Sequence, residues 1–113
     1  MTTKEKIETL HEIRNWLIKR NRYICEHYAY AKGFKIGILG TPSGRNKVKD
    51  SLKTNIPELY NMIMTTGNEL NKGYKWGDAW LDEDEAEEYK LEEENNDFRI
   101  EKINELITTL ENG

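Results

Sequence analysis

The sequence predicts a mainly α-helical fold in which a long N-terminal helix packs on a C-terminal helix. Two apolar stripes with helical spacing carry this prediction, one over residues 1–32 and one over residues 98–113. Between them lie shorter helical stretches and one short Gly-rich segment that is predicted to be extended, which keeps an α+β arrangement open. With 113 residues and no internal repeat, residues 1–113 are expected to form a single domain.

The N-terminal helix is predicted to span residues 1–32. Thr2 and Glu5 have the spacing of a capping box, and no residue before Gly33 interrupts a helix. A helix of about 28 residues would extend for roughly 42 Å, which exceeds the width of a compact domain of this size. We therefore expect this helix to bend, or to pack on a second copy in a homodimer or higher homo-oligomer. Its apolar seam consists of Ile7, Leu10, Leu17, Ile24, Tyr28 and Ala31.

The central part of the chain is predicted to hold one extended segment and two short helices. Residues 33–45 combine the apolar run Phe34 to Leu39 with a Gly- and Pro-rich turn, which indicates a short strand or an irregular packed segment. Residues 46–73 are predicted to form a helix–loop–helix. Pro57 suits the first turn of the second helix, because no backbone N–H is required there.

The C-terminal helix is predicted over residues 98–113, after an aromatic and acidic segment at residues 74–97. Asp97 is suited to cap this helix. We expect its apolar stripe to pack on the seam of the N-terminal helix. The stripe consists of Ile100, Ile103, Leu106, Ile107 and Leu110.

The net charge of −4 conceals a strong segregation of charge along the chain. Residues 14–53 carry ten Lys and Arg against two acids, whereas residues 54–113 carry five against sixteen. Oppositely charged halves either attract each other within the fold or serve different partners. Both interpretations stay open at this point.

The leading functional hypothesis concerns the acidic segment. Residues 78–97 contain eleven carboxylates and a single lysine. On a helix, carboxylates three and four residues apart stand about 6 Å from one another, close to the roughly 7 Å spacing of phosphates along a DNA strand. Such a helix suits the basic groove of a nucleic-acid-handling protein, with aromatic residues as anchors; the alternative is a solvated acidic helix. The expected partner-binding residues are Asp78, Asp82, Glu83, Asp84, Glu85, Glu87, Glu88, Trp76, Trp80 and Tyr89.

This hypothesis describes a small non-enzymatic binding protein that inhibits or regulates its partner. The Asn-, Lys-, Glu- and Ile-rich composition is typical of AT-rich genomes and indicates a low-GC bacterium or one of its phages, and together with the small size it favours a phage or mobile element. Cys25 is the only cysteine, which favours a reducing compartment. No apolar run reaches the roughly 18 residues of a membrane span, and the N-terminus has no signal-peptide pattern. We therefore expect a cytoplasmic protein, in the host cytoplasm if a phage encodes it, and no membrane partner.

The first alternative is a DNA- or RNA-binding regulator that uses the basic face of residues 14–53. Cations near Trp16 and Tyr23 would contact phosphates while the two aromatic rings stack on bases. The competing interpretation is that these aromatic side chains pack in the core or in a dimer contact. The N-terminus of a helix that starts at the Gly-rich turn would bind an isolated phosphate or carboxylate. The alternative is an ordinary turn whose basic side chains are solvated. The expected nucleic-acid- or anion-binding residues are Arg14, Lys19, Arg20, Arg22, Arg45, Lys47 and Lys49.

Two nucleotide-binding patterns are excluded in the stretch KGFKIGILGTPSGRNKVK at residues 32–49. Gly40 and Gly44 are four residues apart and Arg45 follows, so the lysine and the hydroxyl of a Walker A loop are missing. The glycine spacing also fails the dinucleotide pattern. Residues 48–63 weakly resemble the helix-turn-helix of bacterial DNA-binding proteins, although lysines replace its small residue and its turn glycine.

No arrangement of residues typical of catalysis is found in the sequence, so we expect no enzymatic activity, no cofactor and no metal site. Cys25 and His27 lie on nearly opposite sides of a helix, and His11 and His27 are about 160° apart by helical rotation. No metal-ligand spacing appears either. A second alternative function is therefore a structural or assembly subunit held together by its long helix.

Overall fold

The computed structural model describes residues 1–19, 24–35, 37–69 and 93–113. Within these residues the chain is mainly helical, as predicted, and none of them forms a strand. Five α-helices and one 3₁₀ turn account for most of them: α1 Thr3–Lys19, α2 Ile24–Ala31, the turn Ile38–Gly40, α3 Pro42–Asn55, α4 Pro57–Glu69 and α5 Glu93–Asn112. The predicted packing of the N-terminal helix α1 on the C-terminal helix α5 is confirmed.

The start of α1 confirms the predicted capping box. The backbone N–H of Glu5 donates to Thr2 Oγ1 at 3.1 Å, and the backbone N–H of Thr2 donates to Glu5 Oε1 at 3.2 Å. These two hydrogen bonds satisfy backbone donors that have no partner within the helix.

The single helix predicted over residues 1–32 is replaced by two helices that pack on each other. The ring of Trp16 in α1 lies 6.2 Å from the ring of His27 in α2, centroid to centroid. In one continuous helix, these residues would be about 16 Å apart along the axis. α1 and α2 therefore do not continue as one straight helix, and both bury apolar side chains in the same core. Helix length no longer argues for self-association, which stays a prediction.

The described residues of the Gly-rich segment contain a 3₁₀ turn and form no strand, whereas the prediction was an extended segment, either a short strand or an irregular packed one. The 3₁₀ turn Ile38–Gly40 leads into α3, which begins at Pro42 and not at residue 46. Thr41 caps α3, since its hydroxyl oxygen accepts the N–H of Gly44 at 3.0 Å. Gly44 allows this early start, because a Cβ there would overlap the carbonyl oxygen of Ile38.

The helices that follow agree with the sequence in type and differ at one boundary. Pro57 occupies the first turn of α4, as predicted. α5 begins at Glu93, so Asp97 lies inside this helix on an exposed position and does not cap it. An aspartate on the solvent-exposed side of a helix lowers the stability of the helix only slightly. The presence of an aspartate therefore does not by itself determine where a helix begins.

The core combines apolar side chains from all five helices. Leu10 and Leu17 of α1 and Ile103 of α5 are fully buried, in agreement with the two predicted stripes. The remaining core residues include Ile13, Ile24, Tyr28, Val48, Leu52, Ile56, Leu59, Ile63, Leu106 and Ile107. An ion pair of 2.8 Å between Lys6 and Glu58 also links α1 to α4.

A small polar network links α2 to α3 inside this core. The hydroxyl oxygens of Tyr28 and Ser51 lie 2.7 Å apart. The side-chain amide of Asn55 donates to both, at 3.0 Å to Tyr28 and 3.2 Å to Ser51. Because each of these bonds needs one particular alignment, the network fixes the position of α3 along α2.

Candidate functional site

The predicted acidic partner site, from Trp76 to Tyr89, lies outside the described residues. The same holds for Arg20, Arg22 and Tyr23 of the basic half. The remaining basic residues of the alternative site are described, and they fall on three separate parts of the surface.

Arg14 belongs to the contact between α1 and α5. One nitrogen of its guanidinium group donates to the side-chain oxygen of Asn104 at 2.9 Å. The other donates to Nδ1 of His11 at 2.7 Å. Arg14 is half-buried, and these two bonds give it a structural task at the helix pair.

Lys19 lies at the end of α1 next to Trp16. Together with Glu12 and Asn15 these residues line an open hollow of about 230 Å³, which we call the Trp16 hollow. The structure therefore brings one predicted cation and one predicted aromatic residue together. Trp16 pairs with His27 and Tyr30 of α2, which the sequence analysis did not identify as its neighbours.

The third group of cations follows one side of α3. Arg45, Lys49 and Lys53 are each four residues apart, so they are rotated by about 40° and raised by about 6 Å per step. We call these three residues the basic stripe. Lys47 is rotated by about 200° from Arg45 and lies on another side of the helix. Asp50 is the one acid in α3.

The N-terminal part of the basic stripe borders a hollow between α2, α3 and the 3₁₀ turn. Arg45, Asn46 and Lys49 line it from α3, and Cys25 and Leu39 line it from the other two elements. This α3 hollow has a volume of about 80 Å³. None of its five lining residues is an acid. Arg45 is held in place because its Nη1 donates to the carbonyl oxygen of Leu39 at 3.1 Å.

The first turn of α3 has few backbone donors left for an anion. Pro42 has no N–H, and the N–H of Gly44 is taken by the Thr41 side chain at 3.0 Å. The N–H of Arg45 donates to the Thr41 carbonyl oxygen at 3.0 Å. At most the N–H of Ser43 is available in this turn, so side chains and not the Gly-rich backbone make up the candidate site.

Several residues of this site were not singled out from the sequence. Asn46 and Lys53 belong to α3. The signal for Lys53 is its four-residue spacing to Lys49 and Arg45, whereas Asn46 has no such signal. Cys25 comes from α2 and enters the α3 hollow through tertiary packing, for which the sequence holds no local signal.

Among the described residues, no three His, Cys, Asp or Glu side chains form a group that would hold a metal ion. None of the described helices is long and apolar enough to cross a bilayer.

The chain was compared with protein-family models, with curated proteins and with solved structures, and none of them matched.

Proposed function

We propose that this protein binds nucleic acid through the basic stripe of α3, that is, through Arg45, Lys49 and Lys53. The observation that carries the proposal is their spacing along one side of a single helix. Cations about 6 Å apart along the axis come close to the roughly 7 Å spacing of phosphates along a strand. A phosphate backbone can therefore meet several of these cations at once.

The balance of charge on α3 supports the same function. The helix carries Arg45, Lys47, Lys49 and Lys53 against Asp50 alone. Such an excess of positive charge on one helix attracts a polyanion and increases its rate of association. The five described residues that line the α3 hollow include no carboxylate.

The fixed positions of the cations at both ends of the stripe are a further support. Arg45 donates to the Leu39 carbonyl oxygen at 3.1 Å. Nζ of Lys53 lies 5.5 Å from the ring centroid of Tyr60 in α4. A side chain that is already ordered loses less conformational entropy when a ligand binds, so each contact contributes more to affinity.

The proposal is tested with labelled duplex DNA and single-stranded RNA by fluorescence anisotropy at low and at physiological salt. The test variant is Arg45→Gln/Lys49→Gln/Lys53→Gln. The control variant Lys4→Gln/Lys32→Gln/Lys47→Gln removes the same charge from exposed positions away from the stripe. Thermal unfolding of both variants checks that the fold is retained.

We expect saturable binding that weakens with salt. Three lost phosphate contacts lower the slope of log K against log salt by about 2 to 3, depending on whether the strand is single or double. The control variant should retain most of the slope of log K against log salt that the unmodified chain shows. Equal losses in both variants would mean that net charge alone matters, and no binding at low salt would overturn the proposal.

A second candidate function rests on the eleven carboxylates of residues 78–97. In this function the protein is an inhibitor or regulator of the phage or mobile-element type. Its acidic segment occupies the basic surface of a nucleic-acid-handling protein. This function requires no affinity for free nucleic acid. It is tested by affinity capture with the variant Glu83→Gln/Asp84→Asn/Glu87→Gln/Glu88→Gln. A nucleic-acid-binding protein retained by the unmodified chain and lost by this variant supports the hypothesis, and equal retention contradicts it.

A further inference from the structure

We infer that the nucleic acid is single-stranded and that one of its bases stacks on the indole ring of Trp16. This inference rests on the proposed function of the basic stripe. It adds a second contact point and names the class of nucleic acid.

Trp16 is a large aromatic residue that is fixed in position and yet exposed. Its ring stacks on His27 at 6.2 Å with an interplanar angle of 11°, and it meets Tyr30 at 5.9 Å with an angle of 59°. His27 is completely buried, whereas 38% of the Trp16 surface is exposed. An aromatic ring that is supported from within the protein and open to solvent is the arrangement on which bases stack.

The surroundings of Trp16 supply groups that a nucleotide requires. Lys19 lines the Trp16 hollow and carries a positive charge for a phosphate. Asn15 and Glu12 line it as well. An amide and a carboxylate can pair with the polar edge of a base, the carboxylate with an exocyclic amino group.

Shared residues connect the Trp16 hollow to the basic stripe. Tyr30, which contacts Trp16, also lines a hollow between α2 and the 3₁₀ turn, which we call the α2 hollow. Leu39 lines both the α2 hollow and the α3 hollow, and Lys35 adds a cation to the α2 hollow. Glu26 also lines the α2 hollow, but it is 7% exposed and its carboxylate accepts a hydrogen bond of 2.9 Å from the Tyr30 hydroxyl.

This combination selects an unpaired strand. The bases of a duplex are stacked on one another and paired, so they cannot lie on a protein ring without being extruded. Single strands offer their base faces freely, and their phosphates can follow a curved path of cations. A duplex would contact only the basic stripe and would not stack on Trp16.

The decisive experiment compares four ligands of equal length with the same protein: a single-stranded RNA, a single-stranded DNA, a duplex, and a strand of abasic sugar-phosphate units. We expect both base-containing single strands to bind at least five-fold more tightly than the abasic strand, in keeping with base–aromatic stacking. The preference must persist at physiological salt, because stacking does not depend on counterion release. Equal affinity for the abasic strand, or tighter binding of the duplex, would overturn the inference.

Two variants assign the preference to Trp16. Trp16→Ala should abolish the difference between the base-containing and abasic strands while leaving the salt slope unchanged, and Trp16→Phe should restore part of it. Quenching of Trp16 fluorescence on binding is read in the background Trp76→Phe/Trp80→Phe, where no other tryptophan remains. An unquenched Trp16 beside a bound strand contradicts the stacking contact.

Failure of this inference is distinguishable from failure of the proposed function. If Trp16→Ala changes nothing but the basic-stripe variant still loses its salt slope, nucleic acid binds at α3 without stacking on Trp16. If none of the four ligands binds at low salt, both proposals are wrong.

Discussion

The side-chain amide of Asn55, at the end of α3, donates a hydrogen bond of 3.0 Å to the phenol oxygen of Tyr28 in α2. The same two helices contribute Cys25 and Arg45 to the α3 hollow. The hydrogen bond therefore links the two helices that form opposite walls of the α3 hollow.

The first prediction concerns this bond. Asn55→Ala removes the donor shared by Tyr28 and Ser51, and the free energy of unfolding should fall by about 1 to 2 kcal/mol, because part-buried hydroxyls lose a partner. Urea unfolding followed by circular dichroism measures the change. The control is Asn61→Ala, the same substitution at an exposed position of α4, for which we expect a change within about 0.5 kcal/mol. Equal effects in the two variants would rule out a role for the network.

The second prediction concerns the approach of α3 to the 3₁₀ turn. A Cβ at Gly44 would overlap the carbonyl oxygen of Ile38, a backbone atom that cannot rotate away. Gly44→Ala should therefore lower the free energy of unfolding by about 1 to 3 kcal/mol, the range for an overpacked site. Gly40→Ala is the matched control, because no atom lies within 4 Å of a Cβ at that position. A variant Gly44→Ala as stable as Gly40→Ala would contradict the close approach.

The helical class and the main packing of this fold can be predicted from the sequence, because they depend on patterns that are local. Leu10 and Ile103 repeat at helical spacing and are buried where α1 meets α5. Thr2 and Glu5 form the capping box that their spacing indicates. The capping box joins residues that are close along the chain, and each apolar stripe is a repeat within one helix. Both patterns can therefore be recognised in a short stretch of sequence.

The division of the N-terminal region into α1 and α2 has no such local signal. No glycine or proline lies between Lys19 and Ile24. The packing of α2 on α1, in which Trp16 contacts His27, therefore belongs to the tertiary structure. The start of α3 did have a signal, the pair Thr41 and Pro42. The glycines around it indicated a turn, although Gly44 serves to let α3 approach Ile38.

The third prediction concerns the pH dependence of stability. Partial burial of the Glu58 carboxyl opposes its ionisation, but the hydrogen bond from Lys6, the backbone N–H of Glu58 and the charge of Lys6 outweigh this effect and hold its pKa below the ordinary value. Since the folded pKa is depressed, the stabilisation is complete above the unfolded pKa of about 4.3 and is lost as the pH falls through the folded value.

Lys6→Met should therefore be less stable than the unmodified chain at pH 7, by up to about 1 kcal/mol, and should lose less stability between pH 5 and pH 3. Thermal unfolding across this range measures both effects. Lys102→Met serves as the control, because its ion pair with Glu105 is longer, at 3.2 Å, and more exposed. Parallel pH profiles for the unmodified chain and Lys6→Met would contradict the assignment to this pair.

The last prediction separates the two sides of α3 with a pair of single substitutions. Lys49→Gln and Lys47→Gln remove the same charge from the same helix, two positions apart. Lys49 lines the α3 hollow, whereas Lys47 is rotated away from Arg45 by about 200°. If the basic stripe contacts phosphates, Lys49→Gln should lower the salt slope by about 0.7, the amount for one phosphate contact of a single strand, and Lys47→Gln should leave it nearly unchanged. Fluorescence anisotropy with a single-stranded RNA gives both slopes.

A larger loss of salt slope for Lys47→Gln than for Lys49→Gln would place the phosphate contact on the opposite side of α3, and the α3 hollow would then have no part in binding.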